Sequence, residues 1–357
     1  MIAKAQLFEF KTDKIKWGSG LRVVVILVVS LIVLDALGLS QYWASVTFGA
    51  FIMGMCDLLV LNSPTGYRMQ RFGVILLVGA LLTALGLVLG VNWELAVLGT
   101  FVITLLLGAT LAWGKPAALA GYGLNIWFIV ALSFHGGTAQ ALPQGLAWLV
   151  GGALYMLLAL VRFKRQPSHS EASQGIAPVW SLKSLFETYF ALFRFTNPPF
   201  LFVLLKALAV TVGTAIGLRF GLPFAYWIPL YTLVVLQPDY EQTRNNFVLR
   251  MVGTILGAML AAVLLVSVHN QYLLAVVIIV SAFLALAMHG ANMLIYVFFI
   301  TVTILLLVDV STPGSLTDVW ARVLNVFIGA LIAVVVVYLF MRPSQKTEPS
   351  TSSVASG

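Results

Sequence analysis

Charged residues are scarce in this chain: Asp, Glu, Lys and Arg together make up only 9% of its 357 residues. Two long stretches, 116–161 and 251–308, contain none at all. Soluble domains carry about 25% charged residues, so this composition excludes an ordinary soluble protein.

Sequence signatures of common enzyme classes are also absent. The chain has no phosphate-binding loop of the form GxxxxGK[ST], no HExxH and no GxSxG. Cys56 is the only cysteine, which excludes an internal disulfide and a CxxC metal site. We therefore expect no ATP hydrolysis, no enzyme activity, no cofactor and no metal centre.

Apolar residues are abundant instead, at 61% of the sequence with a mean hydropathy of +1.02. A helix that crosses a bilayer needs about 20 mostly apolar residues. The two uncharged stretches therefore hold about two and three crossings. Residues 1–20 are too polar to fit a cleavable signal peptide. The composition predicts an all-α, polytopic membrane protein.

Breaks at glycine, proline and charged residues divide the apolar runs into twelve predicted transmembrane helices. In the first half these lie at about 21–38, 42–61, 71–90, 94–113, 116–134 and 143–162. In the second half they lie at about 200–219, 224–237, 246–267, 271–288, 291–308 and 319–341, of which 224–237 is short for a crossing. The chain thus divides into a segment 1–20, two six-helix repeats at 21–162 and 200–341, a linker 163–199 and a tail 342–357.

Lysine and arginine concentrate on one side of this topology. With the N-terminus inside, all but Arg219, Arg322 and Lys206 of the 20 lysines and arginines fall at cytoplasmic helix ends or in cytoplasmic segments. This asymmetry predicts that both termini are cytoplasmic, and we expect the membrane to be the bacterial inner membrane. It also accounts for most of the net charge of +8, so we expect lipid and not nucleic acid as the partner.

The linker carries a second membrane signal. After a polar stretch, Leu182, Leu185, Phe186, Tyr189 and Phe193 fall on one helical face. This spacing predicts an amphipathic helix on the inner membrane surface. The serine-rich tail at 342–357 is expected to be disordered.

The two halves share a sequence pattern. A Tyr-Trp pair occurs at Tyr42 and at Tyr226, and a cation precedes each tryptophan by 21 residues. Asp57 precedes Arg68 by eleven residues, and the pair Asp239 and Arg250 repeats this spacing. Because six helices per half is an even number, the pattern predicts two parallel repeats related by an axis along the membrane normal.

The second half resembles the fusaric acid resistance and aromatic acid exporter family. The residues that carry the resemblance are Tyr226-Trp227, Gln237-Pro238-Asp239-Tyr240, Thr243-Arg244, Arg250, Gly253-Thr254, Gly257-Ala258, Arg322 and Gly329. The first half keeps Tyr42-Trp43 but lacks the PDY…TR signature. The resemblance implies export of aromatic acids. Similar six-helix modules in the plant aluminium-activated malate transporters work as dimers and pass organic anions, which implies a homo-oligomer or a partner subunit as a further expectation.

Two cations in the membrane region are candidates for an anion site. Lys206 lies roughly two turns inside a predicted span, where a charge costs at least ~2.5–3.5 kcal/mol. Its counterpart in the other half is Arg22, and together they predict a basic collar that binds a carboxylate. Snorkelling of Lys206 to the cytoplasmic interface is the alternative. Asp57 is a candidate proton carrier, a partner of a nearby cation, or a helix cap.

The stretch at residues 237–250 is unusually charged for this chain. Asp239 can cap the helix that follows Pro238, with Arg244 and Arg250 as interfacial anchors. The alternative is a gate in which Asp239 holds one of these arginines. Arg250 shares a helical face with Thr254 and Gly257, and Gly253-x-x-x-Gly257 predicts close contact with another helix.

Aromatic and amide side chains complete the predicted permeation path. Trp43, Tyr226 and Trp227 are typical of the aromatic belt, with stacking on an aromatic substrate as the alternative. Asn125 and Asn292 either bond neighbouring helices or line the path.

These observations together predict an exporter of small organic, aromatic carboxylate anions that is driven by the proton gradient. A passive anion channel and a membrane scaffold without transport activity are the alternatives that the sequence leaves open.

Overall fold

The computed structural model describes residues 17–57, 65–134, 137–163, 187, 189–191, 198–236, 240–268, 270–311 and 316–340. Within these ranges the chain forms twelve α-helices, two short 3₁₀ helices and no strand, which confirms the all-α prediction. The helices of the first half are α1 Trp17–Ala36, α2 Trp43–Asp57, α3 Thr65–Leu89, α4 Trp93–Gly108, α5 Lys115–Ala131 and α6 Gly137–Phe163. Those of the second half are α7 Pro198–Arg219, α8 Trp227–Val235, α9 Tyr240–Ser267, α10 Gln271–Met288, α11 Met293–Ser311 and α12 Leu316–Phe340.

Three helices begin about six residues earlier than the apolar runs predicted. They are α3 at Thr65, α6 at Gly137 and α9 at Tyr240. An apolar run marks the part of a helix that contacts lipid, whereas backbone hydrogen bonding continues through polar residues. In α6, Pro143 lies inside the helix and does not begin it.

Six helical segments within the described residues are long and apolar enough to cross a bilayer. They are Gly66–Leu89, Trp93–Trp113, Gly137–Leu160, Pro199–Arg219, Phe247–Ser267 and Trp320–Phe340. Two shorter apolar helices are Leu273–Met288 and Met293–Leu306. The protein is therefore a multi-pass membrane protein, and the count of twelve crossings stays a prediction. The described part of α2, at 15 residues, and α8, at 9 residues, rise only about 22 and 14 Å, less than the roughly 30 Å of the hydrocarbon core.

The helices of each half pack in the same order. In the first half α2 packs on α1 and α6, α3 packs on α5 and α6, and α4 packs on α5. In the second half α8 packs on α7 and α12, α9 packs on α11 and α12, and α10 packs on α11. The halves meet through two matching contacts, α4 with α7 and α10 with α1.

Two glycines permit the closest of these helix crossings. A Cβ atom at Gly151 of α6 would overlap the main-chain oxygen of Val46 in α2. A Cβ atom at Gly329 of α12 would likewise overlap the main-chain oxygen of Ile228 in α8. The short second helix of each half is thus held against the sixth helix at backbone distance.

The predicted close contact of the Gly253-x-x-x-Gly257 face is also observed. A Cβ atom at Gly253 would lie 2.9 Å from Val297, and one at Gly257 would lie 2.6 Å from the main-chain oxygen of Phe298. Both neighbours belong to α11, so the small-residue face of α9 packs on α11.

Most of the predicted linker helix, including Leu182, Leu185, Phe186 and Phe193, lies outside the described residues, as does the tail. Tyr189 is helical, its ring centre lies 5.2 Å from that of Trp113 in a tilted arrangement, and its hydroxyl donates a hydrogen bond of 2.9 Å to the main-chain oxygen of Leu106. Burial raises the pKa of the Tyr189 phenol to about 12, so it remains a neutral donor. This residue of the linker contacts the end of α4.

Candidate functional site

A buried ion network joins four helices of the first half. Asp57, the last residue of α2, is fully buried and forms a salt bridge with Arg68 near the start of α3. Its second carboxylate oxygen lies 3.7 Å from the guanidinium of Arg22 in α1. The hydroxyl of Tyr155 in α6 donates a hydrogen bond of 3.1 Å to the same oxygen.

Contacts with Asp57, Tyr155 and Gly18 hold the side chain of Arg22 in place. Its guanidinium lies 5.5 Å from the centre of the Tyr155 ring. Its Nε donates a hydrogen bond of 3.2 Å to the main-chain oxygen of Gly18. The charge of Arg22 is therefore compensated from within the chain, by a carboxylate and an aromatic face.

Lys206 lies where the two halves meet. Its Nζ donates a hydrogen bond of 3.0 Å to the main-chain oxygen of Leu236, which caps the C-terminus of α8. It also lies 5.5 Å from the ring centres of Tyr122 in α5 and of Phe202 in α7. The side chain is half-buried. The ammonium is thus held by a helix end and by two aromatic faces.

Arg250 lies in the same neighbourhood. Its guanidinium lies within electrostatic range of Lys206 and of the phenols of Tyr122, Tyr231 and Tyr296. These side chains come from five helices, α5, α7, α8, α9 and α11. One turn beyond Arg250, the hydroxyl of Thr254 lies 2.7 Å from that of Tyr231. We call Lys206, Arg250 and the three tyrosines the phenol site.

The two halves differ in how their cations are compensated. In the first half Asp57 pairs with both Arg22 and Arg68. Among the described residues, neither Lys206 nor Arg250 forms a salt bridge. The phenol site therefore combines two positive charges with neutral hydroxyl donors, an arrangement that favours a bound anion.

The predicted collar of Arg22 and Lys206 is divided between these two groups. The contacts described for Arg22 and those described for Lys206 share no residue. Asp57 belongs with Arg22, whereas Arg250 belongs with Lys206. Asp239 lies outside the described residues, and Arg244 is described only as part of the backbone of α9.

The two predicted tryptophans are buried inside the protein, and Tyr226 is partly buried. Trp43 is 7% exposed, and its indole Nε1 donates to the main-chain oxygen of Leu27 at 3.4 Å. Trp227 is 4% exposed and lies between the rings of Tyr226, at 5.6 Å, and Tyr231, at 5.8 Å. Tyr226 packs against core residues of the first half. This stack thus connects the interface between the halves to the phenol site.

The two amides make local structural contacts. Asn125 in α5 accepts a hydrogen bond of 3.2 Å from the hydroxyl of Thr104 in α4. Asn292 accepts one of 3.0 Å from the main-chain N–H of Ile295 at the start of α11. The first contact bonds two helices, and the second caps one.

Sequence analysis did not identify the tyrosines of either site. Tyrosine is ordinary in an apolar helix, so Tyr122, Tyr155, Tyr231 and Tyr296 carried no signal of their own. One signal was available: Tyr122 and Tyr296 both lie in the fifth helix of their half. Arg68 carries a signal in its spacing from Asp57, but the charge distribution places it only among the cations at the cytoplasmic membrane interface.

The described residues offer no metal site, since they contain no group of three or more His, Cys, Asp or Glu side chains close enough to hold an ion. What the phenol site can do chemically is bind a negatively charged group through an ammonium, a guanidinium and hydroxyls.

Comparison with known proteins supports the resemblance in the second half. Residues 208–336 match the family model described as "Fusaric acid resistance protein-like", so the predicted resemblance is confirmed over this part of the chain. The match includes Tyr231, Arg250 and Tyr296 of the phenol site, whereas Lys206 and Tyr122 lie outside it. No solved structure matches the chain.

Three bacterial proteins are similar over nearly half of the chain. An uncharacterized protein of Synechocystis is 28% identical over 164 residues, which are 45% of this chain and 22% of that protein. An uncharacterized protein of Haemophilus influenzae is 29% identical over 155 residues, 43% of this chain and 22% of that protein. The inner membrane protein YccS of Escherichia coli is 28% identical over 164 residues, 46% of this chain and 22% of that protein. The chain thus aligns with about a fifth of the length of each relative.

Proposed function

We propose that this protein is a transporter of small organic anions that exports aromatic carboxylates across the bacterial inner membrane. Its multi-pass helical fold and its similarity to fusaric acid resistance proteins support a transport role. The named relative in Escherichia coli is an inner membrane protein, which supports the same location for this chain. The distribution of lysine and arginine supports cytoplasmic termini.

The observation that carries the proposal is the pair of cations in the phenol site. A charge inside a membrane protein is costly and usually marks a substrate or ion pathway. Lys206 and Arg250 are like charges within electrostatic range of each other, and no described carboxylate forms a salt bridge with either of them. An anionic substrate supplies the missing negative charge, so these residues favour anions over neutral or cationic molecules.

We further propose that the fold consists of two parallel six-helix repeats. The matched packing of α1–α6 and α7–α12 supports this, as do the reciprocal contacts of α4 with α7 and of α10 with α1. Such repeats place a binding site near the bilayer midplane at their interface. The phenol site takes Tyr122 from the first repeat and its other members from the second.

The proton gradient is the proposed energy source, and its electrical part acts directly on this substrate. With a negative cell interior, each exported negative charge gains about 2.3 kcal/mol per 100 mV. A passive channel would use the same potential but could not move an anion against its electrochemical gradient.

The test is anion flux in vesicles that contain the purified full chain. We expect benzoate to move against its electrochemical gradient when a proton gradient is imposed. Lys206→Met should reduce this flux about 10- to 100-fold, since it removes one charge-assisted contact. Lys115→Met is the matched control, because Lys115 is exposed at the start of α5, and it should leave the flux unchanged.

Each other outcome has a distinct meaning. Benzoate flux that only follows its electrochemical gradient would identify a channel. Absence of any flux, with intact protein in the vesicles, would contradict a transport role. Equal flux in the wild type and in Lys206→Met would show that the lysine only caps α8.

A further inference from the structure

We propose that each half contains an equivalent carboxylate site, that Asp57 permanently fills the site of the first half, and that the site of the second half takes one carboxylate from solution. This inference rests on the proposed function, because it specifies the ligand chemistry of the phenol site. It assigns to the ion network of Arg22, Asp57 and Arg68 a structural role in place of a share in the permeation path.

The first half shows how this fold binds a carboxylate. Asp57 is bound by a guanidinium from the third helix, a second cation from the first helix, and a phenol. Each oxygen of the carboxylate therefore has a cationic neighbour. Asp57 contributes one negative charge against the two positive charges of Arg22 and Arg68, and it is fully buried. No solvent anion can compete with a carboxylate attached to the chain at this position.

The cations of the second half occupy the equivalent helices. Lys206 lies in α7, the first helix of its half, as Arg22 lies in α1. Arg250 lies in α9, the third helix of its half, as Arg68 lies in α3. Because the two halves pack their helices in the same order, these cations lie on helices that hold equivalent places in the two halves.

The phenol is supplied differently in the two halves. Tyr155 lies four residues after Gly151 in α6, whereas Ala333 lies four residues after the matching Gly329 in α12. A methyl group therefore stands at the second-half position that corresponds to the phenol of the first half. Hydroxyls enter instead from Tyr231, Tyr296 and Tyr122, on helices α8, α11 and α5.

This comparison specifies the ligand. By analogy with Asp57, one carboxylate group binds between Arg250 and Lys206, with a phenol as an additional donor. The body of the ligand meets aromatic faces, since the rings of Tyr122 and Phe202 both lie 5.5 Å from Nζ of Lys206. The chain should hold one small monocarboxylate.

The first test measures binding rather than transport. With the full chain in detergent, equilibrium binding of labelled benzoate should give one site per chain. Lys206→Met and Arg250→Met should each weaken binding about tenfold or more. Two benzoate sites per chain, or unchanged affinity in Arg250→Met, would overturn the proposal. Binding that follows this pattern without flux in vesicles would contradict the transport proposal alone.

The second test empties the internal site. Asp57→Gly removes the carboxylate and leaves Arg22 and Arg68 without it. We expect acetate to raise the thermal unfolding midpoint of Asp57→Gly by several degrees more than that of the wild type, because a small carboxylate then occupies the vacated position. The double variant Asp57→Gly/Arg68→Met should lose this gain. Equal acetate responses of Asp57→Gly and the wild type would contradict the equivalence of the two sites.

A third variant, Asp239→Asn, tests the inference even if Asp57→Gly does not fold. Asp239 shares its spacing to Arg250 with Asp57 and Arg68. If Asp239 filled the second site as Asp57 fills the first, Asp239→Asn would strengthen benzoate binding about tenfold or more, and the proposal would be wrong. We expect the affinity of Asp239→Asn to stay within about threefold of the wild type.

Discussion

Nζ of Lys206 lies 3.0 Å from the main-chain oxygen of Leu236, the residue at which α8 ends. The last carbonyls of a helix have no partner within the helix, and a cation there is favourable. Lys206 therefore links α7 to the exit of α8 and, at the same time, contributes its charge to the phenol site.

This link predicts a local effect of Lys206→Met. Loss of a cation at a helix C-terminus costs about 0.3–1 kcal/mol, so amide hydrogen exchange near residues 233–236 should accelerate by about two- to fivefold. Lys115→Met should leave these amides unchanged. Uniform acceleration throughout the protein would indicate general destabilisation instead.

The network around Asp57 predicts strong coupling between its partners. Asp57→Asn leaves two buried guanidinium groups without their carboxylate and should cost about 3–5 kcal/mol. The double variant Asp57→Asn/Arg68→Met should be less destabilised than the sum of the two single variants. Both single variants break the same ion pair, so the second substitution leaves no further unpaired charge in that pair. Denaturant unfolding in mixed micelles gives the free energy of unfolding of the wild type, the two single variants and the double variant. Simple additivity would contradict a direct ion pair.

Tyr155→Phe isolates the hydrogen bond within this network. The variant removes only the hydroxyl that donates to Asp57 and keeps the ring beside Arg22. Hydrogen bonds to charged groups contribute about 1.5–3 kcal/mol, so a loss of stability in this range is expected. If Tyr155→Phe causes no further loss of stability in the Asp57→Asn background, the hydroxyl stabilises the protein through its bond to the carboxylate.

The two close crossings predict matched effects of added methyl groups. Gly151→Ala and Gly329→Ala each place a Cβ atom against a main-chain oxygen, and each should cost about 1–3 kcal/mol. Gly73→Ala is the control, since a Cβ atom there meets nothing within 4 Å. It should be neutral or stabilising by up to about 1 kcal/mol. A harmless Gly329→Ala beside a damaging Gly151→Ala would argue against equivalent halves.

The distribution of lysine and arginine predicts the orientation. Reporter domains fused at residue 170, in the linker, and at the C-terminus should both be active on the cytoplasmic side. A reporter fused in the predicted outer turn near residue 221 is the matched control and should be active in the periplasm. A periplasmic signal at residue 170 would overturn the proposed arrangement of two six-helix repeats with cytoplasmic ends.

The sequence by itself determined the class of the protein and most of its helices. Hydropathy is sufficient for this because a helix in lipid satisfies its own backbone hydrogen bonds, so its existence depends on composition and length. Even the short helix predicted at 224–237 is found as α8, at Trp227–Val235. Helix ends were less accurate, because apolar runs stop where lipid contact stops.

Only the tertiary structure decided which polar groups meet. Arg22 and Lys206 look alike in sequence, as cations in the first helix of each half. The structure gives Arg22 the carboxylate of Asp57 and gives Lys206 the helix end at Leu236. Partners such as Tyr155 and Asp57 are 98 residues apart, and no local periodicity encodes a contact across helices. The burial and compensation of each charge therefore follow from packing, which is why the two halves share a pattern in sequence but differ in their sites.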